Sequence, residues 1–596
     1  MRRQPIVTLD ESDGSETLGE ESDGDIGRPL KTNAVPALFS TSASQSHCPA
    51  KRTTGFKDGD FMDDAQVQNL LRRMNLKNPS PPTSSPLELP PRETILEKYN
   101  YNGKLFKPGK NVELNDGTFL RIRSIIKQRE EVLLRGWHFE RSSTMEGLVP
   151  RRTNELIWSV DLTPEEASMG VTSDVKDAAV SDVKRFRIIK LTNRRYEDLN
   201  YKTWSISADP SEAYLFCRFK HLKIWKAGRK EKTEEEAMVS IAFSDTDKEC
   251  GLESNTLREQ WRKTTIRGGG FRVPAEEVSS EVIDLSGSRG PGLGNRRRYT
   301  FGDGFCGAGG VSCGARQAGL EVSWGFDKSE HAMGTYRRNY HDAICETSEV
   351  ADFLTNAPED IIVDVIHCSP PCQTFSPAKT IAGPNDDANE ACIFSVRQVV
   401  EKGKPRIFTM EETSGLQDRH GEFLNATIHT FVDLGYSVRW RLVDCASYGV
   451  PQRRKRLVVI ASGPGEELPP FPKPTHGTPE TGLRPYNTIG SMISRIPRNA
   501  ENHDVDTIRK FDPPKTPFSL STLAKTITCG GGENYHPSGR RGYTTREYAC
   551  LQTFPTDYKF GKVEIRKQIG NAVPPMLARA LYREIIKSLE RTDGVR

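Results

Sequence analysis

One run near the middle of the chain constrains the fold more than any other: Ser369-Pro370-Pro371-Cys372-Gln373, directly after the apolar stretch 361–366. The apolar stretch predicts a buried strand. The two prolines have a fixed φ and lack an N–H, so they predict a stiff turn at the strand end. In α/β folds that end opens onto the ligand crevice. The run predicts an α/β enzyme that presents the Cys372 thiol to a ligand, although an isolated turn cysteine is more often a small packed side chain.

Length and composition set the limits of the prediction. A chain of 596 residues is too long for a single core, so we expect two or three domains. No apolar run approaches the roughly 18 residues that span a bilayer, and the N-terminus is not a signal sequence, which predicts an intracellular protein without a membrane partner. Twelve cysteines without CxxC pairs predict neither a disulfide framework nor a structural zinc site. The net charge of +4 does not identify a partner.

Local composition and hydrophobic pattern divide the chain into four segments. Residues 1–95 carry an acidic Ser/Gly block and a Pro/Ser block with few aromatics, which predicts a disordered tail. Residues 96–230 show short alternating runs between Gly, Asn and Asp turns, which predicts a small β domain. Residues 231–298 are predicted to be a linker, because Gly, Ser and Arg predominate in its second half. Residues 299–596 form the predicted catalytic domain.

The catalytic segment opens with a predicted strand that runs into the glycine-rich turn 303–310 and then into a helical stretch. Glycines in such a turn let the backbone approach a ligand closely. The turn does not match a P-loop, since the Gly-Lys-Ser/Thr ending is missing. About 20 residues later, a second predicted strand ends in Asp327, the place where Rossmann-like sites put a carboxylate. Together these features predict a βαβ nucleotide pocket.

Six blocks in order give the segment a closer identity. They are Phe305-x-Gly307-x-Gly309, Pro370-Pro371-Cys372-Gln373, Glu411 in Met410-Glu411-Glu412-Thr413, Gln452-Arg453-Arg454-Lys455-Arg456, Arg546-Glu547-Tyr548-Ala549-Cys550-Leu551-Gln552-Thr553-Phe554-Pro555 and Gln568-Ile569-Gly570-Asn571-Ala572-Val573-Pro574-Pro575. From about Tyr299 to its end, the chain resembles the cytosine-C5 DNA methyltransferases. The resemblance implies an α/β, Rossmann-like, S-adenosylmethionine-dependent domain with a small target-recognition lobe at about 463–541.

The resemblance also implies roles for individual residues. Cys372 is expected to attack C6 of cytosine, Glu411 to hold the ring at N3, Arg456 to bind O2, and Arg454 with Arg456 to activate the thiol. No metal is required by this chemistry. The residues expected to contact the cofactor are Phe305, Gly307, Gly309, Gly310, Asp327, Glu346, Pro371, Asn571 and Val573.

Two positions depart from the family pattern. Gly325 replaces the glutamate that usually binds the cofactor ribose, so cofactor affinity is expected to be altered. Glu412-Thr413 replaces Asn-Val and places a second acid beside Glu411, which is expected to raise one of the two pKa values. This substitution resembles the fungal repeat-induced point mutation and premeiotic methylation group, which implies a role in repeat silencing.

The predicted β domain loosely resembles the bromo-adjacent homology (BAH) module of chromatin proteins, through Gly136-Trp137-His138-Phe139, Thr153-Asn154-Glu155-Leu156-Ile157-Trp158 and 213–219. An unrelated small barrel or sheet is the alternative. The resemblance implies a nuclear protein that binds a histone or another chromatin protein.

The substrate is inferred in the same way. A C5 atom inside a duplex is hidden, so the base must be flipped, and the arginines and lysines of the target-recognition lobe are expected to bind DNA phosphates. Two alternatives stay open at this stage. One is a tRNA cytosine methyltransferase on the same scaffold, and the other is a catalytically silent chromatin regulator.

Overall fold

The computed structural model describes residues 93–171, 173–199, 214–226, 233–263, 270–271, 298–356, 361–371, 386–529 and 534–595, with the backbone alone for 270–271 and 386–394. All of them belong to one compact unit, residues 88–596. Almost all of the predicted disordered tail, much of the predicted linker and Cys372 lie outside the described residues. No helix in the described ranges is both long and apolar enough to cross a membrane.

The N-terminal module is rich in β-structure. Its strands are β1 (Thr94–Leu96), β2 (Tyr99–Tyr101), β3 (Lys104–Phe106), β4 (Asn111–Leu114), β5 (Phe119–Gln128), β6 (Glu131–Arg141), β7 (Glu155–Leu162), β8 (Lys176–Ala179), β9 (Val183–Arg187), β10 (Ile189–Leu191), β11 (Leu215–Trp225) and β12 (Thr233–Ser240), with helices α1 (Pro164–Ser168) and α2 (Ser254–Arg262). Phe119, Phe139 and Trp158 lie fully buried in its core. The likeness to a BAH module stays a prediction.

The predicted linker needs a correction. Strand β12 and helix α2 lie inside residues 231–298 and pack against the rest of the unit. Ala237 and Met238 of β12 are buried, and the indole N–H of Trp261 in α2 donates to the Tyr436 hydroxyl at 3.2 Å. The sequence concealed these elements because a Glu-rich strand lacks an apolar pattern of its own, and its apolar residues pack on a distant part of the chain.

The catalytic domain is a sheet covered on both faces. Its strands are β13 (Gly270–Phe271), β14 (Arg298–Gly304), β15 (Glu321–Asp327), β16 (Ile344–Thr347), β17 (Val365–Cys368), β18 (Ile407–Thr413), β19 (Ser437–Asp444) and β20 (Lys455–Ser462). The main order is β16-β15-β14-β17-β18-β20-β19, and β20 runs antiparallel to both neighbours. This is a mixed, mostly parallel Rossmann-like sheet, as the sequence predicts.

Helices from the intervening segments cover the sheet. They are α3 (Gly310–Ala318), α4 (Glu330–Arg337), α5 (Val350–Asn356), α6 (Asp386–Gly403), α7 (Gly415–Asp418), α8 (Gly421–Asp433) and, near the C-terminus, α12 (Pro575–Thr592). Residues of α3, α4 and α12 pack in one buried cluster with β14, and residues of α5, α6 and α8 pack in another with β18. The two clusters are the layers that cover the sheet.

The two halves of the unit share one continuous sheet. Strand β12 pairs antiparallel with β19, the last strand of the catalytic order, with Ala237 opposite Arg439. Strand β12 also pairs with β11, which links it to the rest of the N-terminal module. The module therefore covers a sheet edge that would otherwise expose unpaired backbone groups.

The predicted target-recognition lobe has little regular structure. It contains β21 (His476–Gly477), β22 (Arg484–Pro485) and α9 (Ile489–Ile493), and it is followed by α10 (Thr545–Leu551) and α11 (Ile565–Asn571). Ile489, Ile527 and Tyr543 are buried in one cluster with residues of α10 and with Ala308 of the glycine-rich turn. The lobe is thus anchored beside the predicted cofactor turn.

Candidate active site

A cavity of about 430 Å³ lies at the carboxyl ends of β14, β15, β17 and β18. This is the crevice in which open α/β sheets bind ligands. Its walls are formed by Asp303, Phe305, Cys306, Gly307, Ala308, Gly310, Val311, Asp327, Lys328, Ser329, Ala332, Ser348, Glu349, Val350, Ser369, Pro370, Pro371, Glu411, Glu564, Lys567, Gln568, Asn571, Ala572 and Val573. Most of the predicted cofactor residues are among them.

The glycine-rich turn forms the floor of the cavity. Gly309 begins α3 in the left-handed region with φ 82°, which favours glycine. A Cβ atom at Gly310 would collide with the carbonyl oxygen of Val573 on the facing segment. The turn therefore needs glycine at both positions, and Gly310 lines the cavity while Gly309 supports it from behind.

Asp327 holds the turn in place through its side chain. Its two carboxylate oxygens accept from the backbone N–H groups of Gly307 at 3.0 Å and Ser329 at 2.8 Å. Burial raises its pKa. Asp327 lines the cavity as predicted, but both of its carboxylate oxygens already accept hydrogen bonds from backbone N–H groups.

Two predicted positions near the cavity can be compared with the structure. A Cβ at Gly325 would lie 2.7 Å from the Tyr336 ring, so the space beside position 325 is filled by Tyr336, and the expected change in cofactor affinity stays a prediction. Glu346 lies on β16 and does not line the cavity, whereas Ser348 and Glu349 do. The wall at the end of β16 is therefore formed two to three residues later than the family resemblance implied, by Ser348 and Glu349.

Glu411 and Arg456 meet on the cavity wall. The two residues lie on the neighbouring antiparallel strands β18 and β20, and Arg456 Nε lies 2.8 Å from Glu411 Oε1. Both side chains are largely buried, with exposures of 8% for Glu411 and 14% for Arg456. The contact is an ion pair and not a hydrogen bond, because Glu411 Oε1 has no hydrogen-bond partner among the described residues, and it places positive charge beside the carboxyl group.

Arg454 lies among backbone carbonyls, and its role in activating the Cys372 thiol stays a prediction, because Cys372 lies outside the described residues. Its guanidinium is buried and donates to the backbone carbonyls of Ile527 at 3.2 Å, Gly570 at 3.5 Å and Ala572 at 3.4 Å. These bonds tie the target-recognition lobe to α11 and to the cavity wall. The structure therefore gives Arg454 a scaffold role, and Arg456 is the arginine that contacts Glu411.

Glu412 points away from the site. Neighbouring residues on a strand face opposite sides of the sheet, and Glu412 is fully buried, where its Oε2 accepts from the Thr413 N–H at 3.2 Å. Burial first, and then the charge of Glu411, raises the pKa of Glu412 well above its usual range. The raised pKa expected for this pair thus belongs to Glu412.

A hydrogen-bonded chain behind the site was not found from the sequence. His367 on β17 bonds to Ser369 Oγ at 2.5 Å through Nε2 and to Thr409 Oγ1 at 2.9 Å through Nδ1, and Thr409 bonds to the Tyr582 hydroxyl at 3.0 Å. Burial lowers the pKa of His367 to about 3, so the ring is neutral. The sequence signal that could have indicated this chain is a histidine, His367, in a predicted buried strand just before the Pro-Pro-Cys run.

Cys372 itself lies outside the described residues, but the residues before it are placed. Ser369, Pro370 and Pro371 line the cavity that Glu411 also lines. Asn571 and Val573 close the opposite side, and Asn571 Oδ1 accepts from the Cys529 thiol at 2.6 Å. The structure thus brings together the predicted nucleophile turn, the predicted acid and the predicted cofactor residues.

The cavity also fits the predicted cofactor. Its volume falls within the range of small-molecule sites, about 300–1,000 Å³. Phe305 and Val350 provide apolar wall, the glycine-rich turn allows close backbone approach, and Asp303 provides a buried carboxyl group. These are the features that a nucleoside with a charged amino-acid end requires.

Comparisons with known proteins gave the following similarities. The family model for C-5 cytosine-specific DNA methylases matches residues 299–516 and 487–587. The type II methyltransferase M.NgoFVII of Neisseria gonorrhoeae is 33% identical over 334 residues, which is 48% of this chain and 88% of that protein. M1.HphI of Haemophilus parahaemolyticus is 31% identical over 333 residues, 48% of this chain and 87% of that protein. The solved structure of the Entamoeba histolytica methyltransferase EhMeth is 15% identical, with a TM-score of 0.37, covering 50% of this chain and 100% of that one.

Proposed function

The chain belongs to the C-5 cytosine-specific DNA methylase family, and we propose that it methylates cytosine in duplex DNA through a covalent bond to Cys372. It is a DNA (cytosine-5-)-methyltransferase that depends on S-adenosylmethionine. The observation that carries the proposed mechanism is the Glu411–Arg456 pair at 2.8 Å. It lies on the wall of the cavity that the Ser369-Pro370-Pro371 turn also lines.

The chemistry begins with the thiolate. Cytosine C5 is a poor nucleophile, so the Cys372 thiolate adds to C6 and the displaced electron pair makes C5 nucleophilic. Glu411 holds N3 and shares a proton with it as the ring gains negative charge. Arg456 supplies positive charge beside the Glu411 carboxyl group and beside the ring O2.

The second half of the reaction restores the ring. The bound cofactor supplies the methyl group to C5. Loss of the C5 proton to water then returns an electron pair to the ring, the C6–S bond breaks, and Cys372 leaves as the thiolate. The buried Glu411–Arg456 pair serves both halves of the reaction, since the two residues lie on adjacent strands.

The duplex is expected to approach the target-recognition lobe. Arg484, Arg495, Arg498, Lys510 and Arg540 are exposed on it, which suits contacts to phosphates. Arg541 was predicted for the same role, but it forms an ion pair with Glu547 at 2.7 Å. The Arg541 side chain therefore links the lobe to α10 through Glu547.

Methyl transfer from radiolabelled S-adenosylmethionine to duplex DNA tests this proposal, with tRNA as the competing substrate. Glu411→Gln is expected to lower the rate by about 10²–10⁴-fold, the usual value of a general acid. Glu412→Gln is the matched control, since this neighbour faces the other side of the sheet, and its rate should stay near that of the native chain. Transfer to tRNA alone would favour the RNA alternative, and no transfer to either would favour a silent regulator.

The N-terminal module is the basis for a second part of the proposal: that the enzyme acts on chromatin in the nucleus and belongs with the fungal repeat-silencing enzymes. The support is the loose BAH resemblance and the Glu412-Thr413 substitution, together with a module that shares a sheet with the catalytic domain. Binding of the full chain to reconstituted nucleosomes and to the same DNA without histones tests this. Equal affinity for both would contradict a chromatin-reading module.

A further inference from the structure

The proline turn on the cavity wall lacks the backbone donors that usually anchor a turn. Pro370 and Pro371 both line the cavity, and neither has an N–H group. Ser369 is therefore the last described residue before Cys372 that can donate from the main chain. Its N–H donates to the Gly304 carbonyl at 3.3 Å, which is longer than most backbone hydrogen bonds. The turn thus depends on the contacts of the Ser369 side chain.

A buried histidine holds the Ser369 side chain. The Ser369 hydroxyl lies 2.5 Å from His367 Nε2, and the other ring nitrogen, Nδ1, bonds to Thr409 Oγ1 at 2.9 Å. Thr409 bonds in turn to the Tyr582 hydroxyl at 3.0 Å. His367 is 3% exposed, and Thr409 and Tyr582 are fully buried. These bonds connect the turn with β18 and with α12 inside the core.

This histidine can provide geometry, but it is not suited to proton transfer. Burial lowers the pKa of His367 to about 3, so the ring stays neutral near pH 7 and is a poor proton acceptor. Both of its hydrogen-bond partners are uncharged hydroxyl groups. A neutral ring that is bonded at both nitrogens keeps a fixed distance between β18 and the Ser369 hydroxyl.

We propose that His367 is a positioning residue for the covalent step: through the Ser369 hydroxyl it holds the Pro370-Pro371 turn in the cavity wall and so orients the chain that leads into Cys372. The inference rests on the proposed function, in which the Cys372 thiolate attacks cytosine. A reacting group that is displaced by about 1 Å can lose about 10²-fold in rate. None of the six sequence blocks includes His367 or Ser369.

Trapping on duplex DNA that contains 5-fluorocytosine, whose C5 fluorine prevents release of the thiol, measures the covalent step. The full chain is used with saturating DNA and S-adenosylmethionine, and the rate of adduct formation is followed. His367→Leu offers no hydrogen bond and should form the adduct about 10–100-fold more slowly than the native chain. His367→Gln should recover most of the rate, because a side-chain amide offers both a donor and an acceptor to the Ser369 hydroxyl.

Cofactor affinity separates positioning from a damaged cavity. Calorimetric titration with S-adenosylmethionine should give nearly the native affinity for both His367 variants, because His367 does not line the cavity. His221→Leu is the matched control for lost stability. His221 is also a strand histidine that is 3% exposed and bonded to a neighbour, Glu236 at 3.1 Å, and neither residue lines the cavity. His221→Leu should form the adduct at the native rate.

A double variant tests whether His367 acts through Ser369. Ser369→Ala should slow adduct formation about as much as His367→Leu, and the double variant should be no slower than either single variant, because each change removes the same bond. Ser369→Ala also covers the case in which His367→Leu does not fold, since it removes a single hydroxyl group. A native rate for Ser369→Ala would overturn the inference.

The outcomes distinguish this inference from the proposed function. No adduct from a native chain that binds cofactor and DNA would overturn both. A native rate for His367→Leu, a His367→Gln variant as slow as His367→Leu, or losses that add in the double variant would overturn this inference alone. An equal loss of rate in His221→Leu would also overturn it, because lost stability would then explain the effect.

Discussion

The pairing between strand β12 of the N-terminal module and strand β19 of the catalytic domain can be tested at Glu235. Its carboxylate lies 2.7 Å from Arg439 and 3.6 Å from Arg441, both on β19. Glu235 and Arg439 are only 9% and 17% exposed. Glu235→Gln keeps the shape of the side chain but removes the charge nearest to both guanidinium groups, and it leaves Arg441 with the more distant Glu234 carboxylate at 3.9 Å. We expect this change to weaken the β12–β19 pairing.

The size of the effect follows from the burial. Removing one partner of a buried ion pair costs about 3–5 kcal/mol, and the partial exposure of Arg439 places this pair near the lower end. Glu234 provides the matched control, since it lies 3.9 Å from Arg441 and is 43% exposed. Glu234→Gln should cost about 0–1 kcal/mol, as surface pairs do.

Urea unfolding and hydrogen exchange of the full chain measure both values. Glu235→Gln should lower the free energy of unfolding by about 3 kcal/mol, and exchange of the β12 and β19 amides should become about a hundredfold faster if they exchange through local opening. Equal effects of Glu235→Gln and Glu234→Gln would refute the view that the buried Glu235–Arg439 pair stabilises the β12–β19 pairing.

Three further predictions concern buried groups around the site, each measured by urea unfolding. The folded-state pKa of Glu412 is raised, so its stability contribution is full below pH 4.5 and declines as pH rises; Glu412→Gln should remove this decline, and a parallel decline in the variant would contradict the prediction. His367→Leu breaks two hydrogen bonds and should cost about 1–3 kcal/mol, more than Tyr582→Phe, which breaks one; the reverse order would contradict the chain of bonds. Gly325→Ala should cost about 1–3 kcal/mol through its collision with Tyr336, and Tyr336→Leu should relieve most of it; additive costs in the double variant would contradict the collision.

The sequence was sufficient for the catalytic framework because its signals are local. Strands that end in glycine-rich or proline-rich turns place ligand-binding residues at one sheet edge, and the structure brings Phe305, Asp327, Pro371 and Glu411 to one cavity at that edge. The orientation of Glu412 was also available from the period of two along a strand. The expectation that Glu412 lies beside Glu411 in the site overlooked this alternation, because it assumed that residues adjacent in sequence lie side by side in space.

The remaining features depend on contacts between distant parts of the chain. Arg454 lies beside Arg456 in one motif, yet its partners Ile527 and Gly570 come from other segments. Strand β12 is recognisable only through its pairing with β19. The space beside Gly325 is filled by the Tyr336 ring, which comes from α4. Local patterns carry no information about such partners.

Covalent trapping tests the central claim most directly. The full chain is incubated with S-adenosylmethionine and duplex DNA containing 5-fluorocytosine, whose fluorine blocks the final loss of the group at C5. The account predicts a denaturant-stable protein–DNA adduct whose mass shows the transferred methyl group, and its complete loss in Cys372→Ala. An adduct that persists in Cys372→Ala, or no adduct from a native chain that binds both cofactor and DNA, would contradict the account.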